Sequence, residues 1–178
     1  MCKERKALIE CEIHQALDTV DGALMDMLME EILAADTVFL YGVDGVRISL
    51  QFFCKRLKHL GIRAQCIREL NESAATENSL LIIGSEESES ISLMDVIKKT
   101  HDLGTKIAYI GAAPNIVLRE YIDLFVRIPL KIKLELIDQI ESSQVMSRLF
   151  EQSLLVLGDV ISIRVAEIKA GRTKKEEV

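Results

Sequence analysis

No uninterrupted apolar run in this sequence approaches the ~18 residues that mark a membrane span, and the tail run from Leu154 to Val165 is broken by Asp159 and Arg164. The first residues, MCKERKALIECEIH, are basic but lack the continuous apolar core of a secretory signal, because Glu10 and Glu12 interrupt it. A cytoplasmic protein that avoids membranes is the expectation. The four cysteines, Cys2, Cys11, Cys54 and Cys66, form no CxxC pair, and with His14, His59 and His101 they give no zinc-ligand spacing. Reduced, partly buried thiols follow. Gly42-Val43-Asp44-Gly45 is neither a Walker loop nor a complete dinucleotide fingerprint, so no metal or cofactor is expected. Positive charge is also short: a formal net charge of −6 argues against a nucleic-acid partner, which normally requires a basic face. The basic residues Arg172, Lys174 and Lys175 are followed at once by Glu176 and Glu177, so residues 171–178 read as a flexible, solvated tail.

What is present suits one α/β domain spanning residues 1–178, since 178 residues are enough for a full core and few for two. The organising stretch runs from Thr37 to Gly61. Thr37–Tyr41 is a β-branched and aromatic run of strand length, Gly42 and Gly45 mark a turn, and Ile48, Phe52, Phe53, Leu57 and Leu60 then recur at helical spacing. Residues 1–35 precede it as two helices broken at Asp21-Gly22, packing on the domain or on a partner subunit; Met25, Met27 and Met29 serve that packing. Further strands are predicted at Ile62–Cys66, Ser79–Ile83, Thr105–Ile110 and Ile122–Ile128, the last closed by Pro129. A helix carries Leu93, Val96 and Ile97 and stops near Gly104, a short helix covers Ile116–Tyr121, and a long apolar helix covers Ser147–Lys169. Such alternation gives a three-layer sandwich over residues 36–170, with a five-stranded parallel, flavodoxin-like sheet in the order 2-1-3-4-5. The loops Gly42–Val46 and Gly84–Ser90 then face each other at the carboxyl edge, where ligands bind.

Four blocks, ILAADTVFLYG, RLKHLG, SLLIIGSEESES and SSQVMSRLFEQSLLVLGD, resemble the sugar isomerase (SIS) domain family and, within it, the 6-phospho-3-hexuloisomerases. Gln144, Met146, Leu149, Phe150, Glu151 and Gln152 stand where that family shows QPMGxLFEQ. The resemblance implies isomerisation of a phosphorylated ketose through an enediol, with Glu151 as base and loop hydroxyls on the phosphate. It also implies a homodimer or homotetramer and a sugar phosphate as the small-molecule ligand. Apart from the resemblance, a carboxylate at position 151 also suits an early helical turn. His59 at a helix end suggests packing and a favourable dipole contact rather than catalysis.

The loops depart from the family pattern. YGAGRSG becomes YGVDGVRI, which keeps Tyr41 and Gly42 but puts Asp44, Gly45, Val46 and Arg47 over Gly-Arg-Ser-Gly. SGSGET becomes Ser85-Glu86-Glu87-Ser88-Glu89-Ser90, which keeps Ser85, Glu89 and a hydroxyl at Ser90 but replaces the middle serine by Glu87. The new carboxylates Asp44, Glu86 and Glu87 repel a phosphate, whereas Arg47 and Arg148 could pair with them or clamp the phosphate themselves. Glu69 aligns with an acidic position that could hold a sugar hydroxyl, and no histidine follows His101 to supply the family's C-terminal one. Two functions stay open: an isomerase with an altered phosphate site, or a non-catalytic module binding a phosphosugar, an amino sugar or a related ligand for regulation.

Overall fold

Asp21 separates the first two helices by capping the second. Its extended backbone (φ −65°, ψ 118°) lets Oδ1 accept from the amides of Ala23 at 2.8 Å and Leu24 at 3.3 Å. In this computed structural model, which describes residues 2–67, 75–86, 91–114, 117–130, 139–144 and 148–176, α1 is Cys2–Asp18 and α2 is Gly22–Ala34. The remaining elements are β1 (Thr37–Tyr41), α3 (Asp44–His59), β2 (Ala64–Ile67), β3 (Ser79–Ser85), α4 (Ile91–Asp102), β4 (Lys106–Gly111), β5 (Leu124–Arg127) and α5 (Arg148–Glu176), with a 3-10 turn at Arg119–Tyr121.

All five strands are parallel in the order β2-β1-β3-β4-β5, as the sequence predicts. β3 is buried along its whole length, which fits its near-continuous apolar run and its central place. Side chains alternate across the sheet. Val38, Leu40, Leu80, Ile82, Ala108 and Ile110 join a core built with α2, α3 and α5, while Phe39, Tyr41, Leu81, Ile83, Ile107 and Tyr109 join one built with α4. The two layers of helices thus cover both faces.

α3 and α5 lie close because Gly158 has no side chain. A Cβ there would stand 3.0 Å from both Cβ and Cγ of Phe53. Arg56 pairs with Asp159 across the same seam at 2.8 Å, and Lys169 donates to the Leu60 carbonyl at 2.6 Å. Met25 and Met29 are in the core while Met27 is half exposed, so the methionines do mainly pack. α5 continues through Gly171 to Glu176, whereas the sequence suggests a stop before that glycine. The 3-10 turn is shorter than the predicted helix, and β2 is set slightly later than predicted. Among the described residues no helix is long and apolar enough to cross a membrane.

Candidate functional site

At the end of β1 the chain must turn sharply into α3. Val43 caps the helix with extended backbone (φ −112°, ψ 159°) and no side-chain bond, and Asp44 then takes a positive φ of 47°. A left-handed residue with a Cβ normally costs roughly 1–2 kcal/mol, less for Asp. Asp44 therefore preserves the turn where the family motif has glycine.

Glu151 arrives at this turn from the first turn of α5. A Cβ added to Gly45 would overlap the Glu151 carboxylate, so the missing side chain is what admits the carboxylate to the start of α3. The favourable potential at a helix amino end suits the charge it brings. One turn along α3, the buried Ser49 donates its hydroxyl to the Glu151 carbonyl oxygen at 2.7 Å, fixing the backbone that carries it.

The residue that replaces the motif serine, Val46, is buried. Its Cγ1 fills the space between the two loops, 3.1 Å from a Cβ placed on Gly42 and 2.9 Å from one on Gly84. The first loop thus meets the second at Gly84, while residues 87–90 of the second lie outside the described residues, and both Gly42 and Gly84 have packing reasons to be glycine. Ser85 ends β3, is buried, and lies opposite Gly111 in the register; its carbonyl is 3.5 Å from the Tyr109 hydroxyl. Burial pushes that phenol up to about 12.

At the start of α5 is a cavity of about 240 Å³ whose described lining includes neither Glu151 nor a residue of the β1 turn; it is somewhat smaller than the roughly 300–1,000 Å³ usual for small-molecule pockets. Glu86 after β3, the segment Ile140–Ser142, Gln144 and the residues Arg148–Phe150 line it. Arg148 is exposed and, among the described residues, makes no ion pair.

Arg47 does not line the cavity. Its Nε is buried without a hydrogen-bond partner, and its charge acts on Cys66 in β2. Burial pushes that thiol up, Cys54 adds to the effect, and Arg47 and Lys58 oppose it. Glu69, Glu87 and Ser90 lie outside the described residues. Gly42, Asp44 and Glu151 thus gather around the β1 turn, Ser85 lies at the end of β3 against β4, and Gln144 and Arg148 line the cavity.

Sequence reasoning missed Gly45 as more than a turn residue, and it missed Glu12. Glu12 is 6% exposed and receives four hydrogen bonds. Oε1 accepts from the Ser143 amide at 2.9 Å and hydroxyl at 2.8 Å; Oε2 accepts from the Ser142 hydroxyl at 2.7 Å and Gln144 Nε2 at 3.0 Å. Burial pushes this carboxyl up, but the Ser143 amide and the Ser142, Gln144 and Ser143 side chains outweigh it and lower it to about 2. One signal was available: Glu12 lies four residues before Ala16, on the buried face of α1.

No family model matches the chain. A 3-hexulose-6-phosphate isomerase of Bacillus subtilis is 28% identical over 158 residues, which is 89% of this chain and 85% of that protein. A Methanococcus jannaschii protein, whose crystal structure infers a molecular function of 3-hexulose-6-phosphate isomerase, superposes with a TM-score of 0.77 at 22% identity, covering 94% of this chain and 92% of that one. The Vibrio vulnificus NanR protein, complexed with ManNAc-6P, superposes with a TM-score of 0.78 at 12% identity, covering 97% of this chain and 64% of that one. In fold, and along most of its sequence, the chain is thus similar to SIS-domain sugar-phosphate proteins, the 3-hexulose-6-phosphate isomerases among them.

Proposed function

We propose that the protein isomerises a hexulose 6-phosphate in the cytoplasm, with Glu151 as the base. The observation that carries this reading is the meeting of the Glu151 carboxylate with the β1 turn at Gly45, on the same first turn of α5 from which Arg148 lines the cavity. In the reaction the carboxylate takes the proton from the hydroxyl-bearing carbon next to the ketone as the carbonyl oxygen gains a proton, giving an enediol; the carboxylate then returns its proton to the former carbonyl carbon while the old hydroxyl oxygen gives up its own and becomes the new ketone. No net oxidation occurs. Arg148 offers a bidentate partner for the phosphate, while Glu86 and Gln144 offer acceptors for sugar hydroxyls.

Conversion of 3-hexulose 6-phosphate to fructose 6-phosphate at high protein concentration, with Glu151→Gln in parallel, tests the reading. Turnover that disappears in the variant supports it. Wild-type turnover equal to the variant's on every phosphoketose tried rejects it.

A second reading, a non-catalytic module that binds a phosphosugar or amino sugar for regulation, is favoured by Val46. Its side chain packs between the loops where the motif places a phosphate-binding hydroxyl. Thermal stabilisation by ligand without turnover would favour this reading over catalysis. Under either reading the protein works as a homodimer or homotetramer. The exposed apolar residues Ile48 and Phe52 on α3 and Val156, Val160 and Ile163 on α5 support that assembly, and sedimentation as a monomer at micromolar concentration would contradict it.

A further inference from the structure

The segment Ser142–Gln144 forms one wall of the cavity and precedes α5, the helix that carries Arg148 and Glu151. It has no regular secondary structure, and Glu141, Ser142 and Ser143 are exposed. Such a segment is ordered only by what holds it from beneath. At its start, the Ile140 amide donates to the Pro129 carbonyl at 2.9 Å, and Leu130 and Ile140 form a parallel bridge. Further along it is held by a side chain from the opposite end of the sequence, Glu12 on α1.

Packing alone does not require a carboxylate at this place. Ala16 on the same face of α1 is buried and Ile13 packs against the same core, so an apolar residue at position 12 would match its neighbours. A buried charge is costly unless its oxygens are fully bonded. Here both oxygens are, and every bond goes to three consecutive residues of one loop. Two of those three, Ser142 and Gln144, line the cavity. The Gln144 amide is committed as well. One of its N–H groups goes to Glu12, so the oxygen and the other N–H are what it can offer a ligand.

We propose that Glu12 is a positioning residue of this site: from α1 it fixes Ser142–Gln144 as the wall a ligand meets, so the N-terminal helix is part of the binding apparatus. The inference rests on the reading of the cavity as the ligand site. It predicts that weakening Glu12 loosens one wall while the sheet stays intact.

Glu12→Ala removes both acceptors. Glu12→Gln keeps the shape and one acceptor oxygen. Its amide nitrogen can donate to the Ser142 hydroxyl, but it faces Gln144 Nε2 donor to donor unless the Gln144 amide turns over. The experiment measures amide hydrogen exchange and fructose 6-phosphate binding by calorimetry on the wild type and both variants. In Glu12→Ala the Ser143 amide should exchange at least a hundredfold faster and the affinity fall at least tenfold, with the β1 and β3 amides still protected. Glu12→Gln should fall between. If the β-strand amides of Glu12→Ala also lose protection, that variant has unfolded and the isosteric Glu12→Gln decides: weakened binding with protected strands supports the proposal.

Binding unchanged in a folded variant whose Ser143 amide has become exposed overturns the proposal and leaves the site reading intact. A folded wild type that fails to bind fructose 6-phosphate overturns the site reading, and this inference with it.

Discussion

Acidification should reveal how much stability the α1 anchor contributes. In the folded protein the Glu12 carboxyl titrates near 2, against an ordinary value of 4.5. Because the folded value is the lower one, the unfolded chain takes up the proton first as pH falls. The contribution is therefore complete above about pH 4.5 and is lost progressively as pH falls toward 2. At about 1.4 kcal/mol for each pH unit between the two values, the full effect is roughly 3–4 kcal/mol, a large part of the ~5–15 kcal/mol that holds a typical domain together. Other carboxylates titrate over the same range, so the informative quantity is the difference between wild type and Glu12→Gln, measured by urea unfolding at pH 7, 4.5, 3.5 and 2.5. Above pH 4.5 the wild type should lead by a constant margin, and below it that margin should shrink by roughly 2–3 kcal/mol. A margin independent of pH would refute the account, because the four hydrogen bonds would then not favour the ionised form.

Gly45→Ala places a methyl group where the Glu151 carboxylate lies. The carboxylate is the far end of a flexible side chain and can swing away, and Ala is the better helix former by about 1 kcal/mol, so stability should change little while isomerase turnover falls nearly as far as in Glu151→Gln. Unchanged turnover would dissociate Gly45 from the base. Asp44→Gly relieves the positive φ of 47° and should stabilise the fold by about 0.5–1 kcal/mol in thermal or urea unfolding. Gly158→Ala drives a methyl to 3.0 Å from Phe53 and should cost roughly 1–3 kcal/mol as the α3–α5 seam opens; a stable variant would mean the helices separate more easily than their packing suggests.

The sheet was legible because its signals are local. Thr37–Tyr41 announces a strand by composition, and the strand order follows from the alternation of strands with helices, so topology and N-terminal helix pair match the reading of the sequence. At the candidate site what was legible was placement: Glu151 does fall on the first turn of α5. What the sequence could not disclose depends on pairs far apart in the chain. Gly45 looks like turn punctuation until Glu151 is found over it, and Glu12 looks like an interruption in a helical stripe until Ser142–Gln144 folds onto it. Arg47 illustrates the converse. It stands on the first turn of α3, one turn from Val43 by its amide bond at 3.1 Å, yet its guanidinium Nε is buried and unpaired and its charge is felt at Cys66.

Three of the replacements in the first loop make sense as one rearrangement. Asp44 adopts the left-handed backbone where the family motif has glycine, Gly45 opens the space where the motif has arginine, and Val46 fills the gap between Gly42 and Gly84 where the motif has serine. Once the Glu151 carboxylate occupies the start of α3, the potential that would attract a phosphate there is already met by a charge of the same sign. Two such charges about 4 Å apart at an effective dielectric near 20 repel by roughly 4 kcal/mol, more than a few neutral hydrogen bonds return. A phosphate entering this site should therefore avoid the β1 turn and go to Arg148 on the cavity wall. Replacing Arg148 by Ala should weaken fructose 6-phosphate binding much more than it weakens binding of fructose, whereas equal losses would place the phosphate elsewhere.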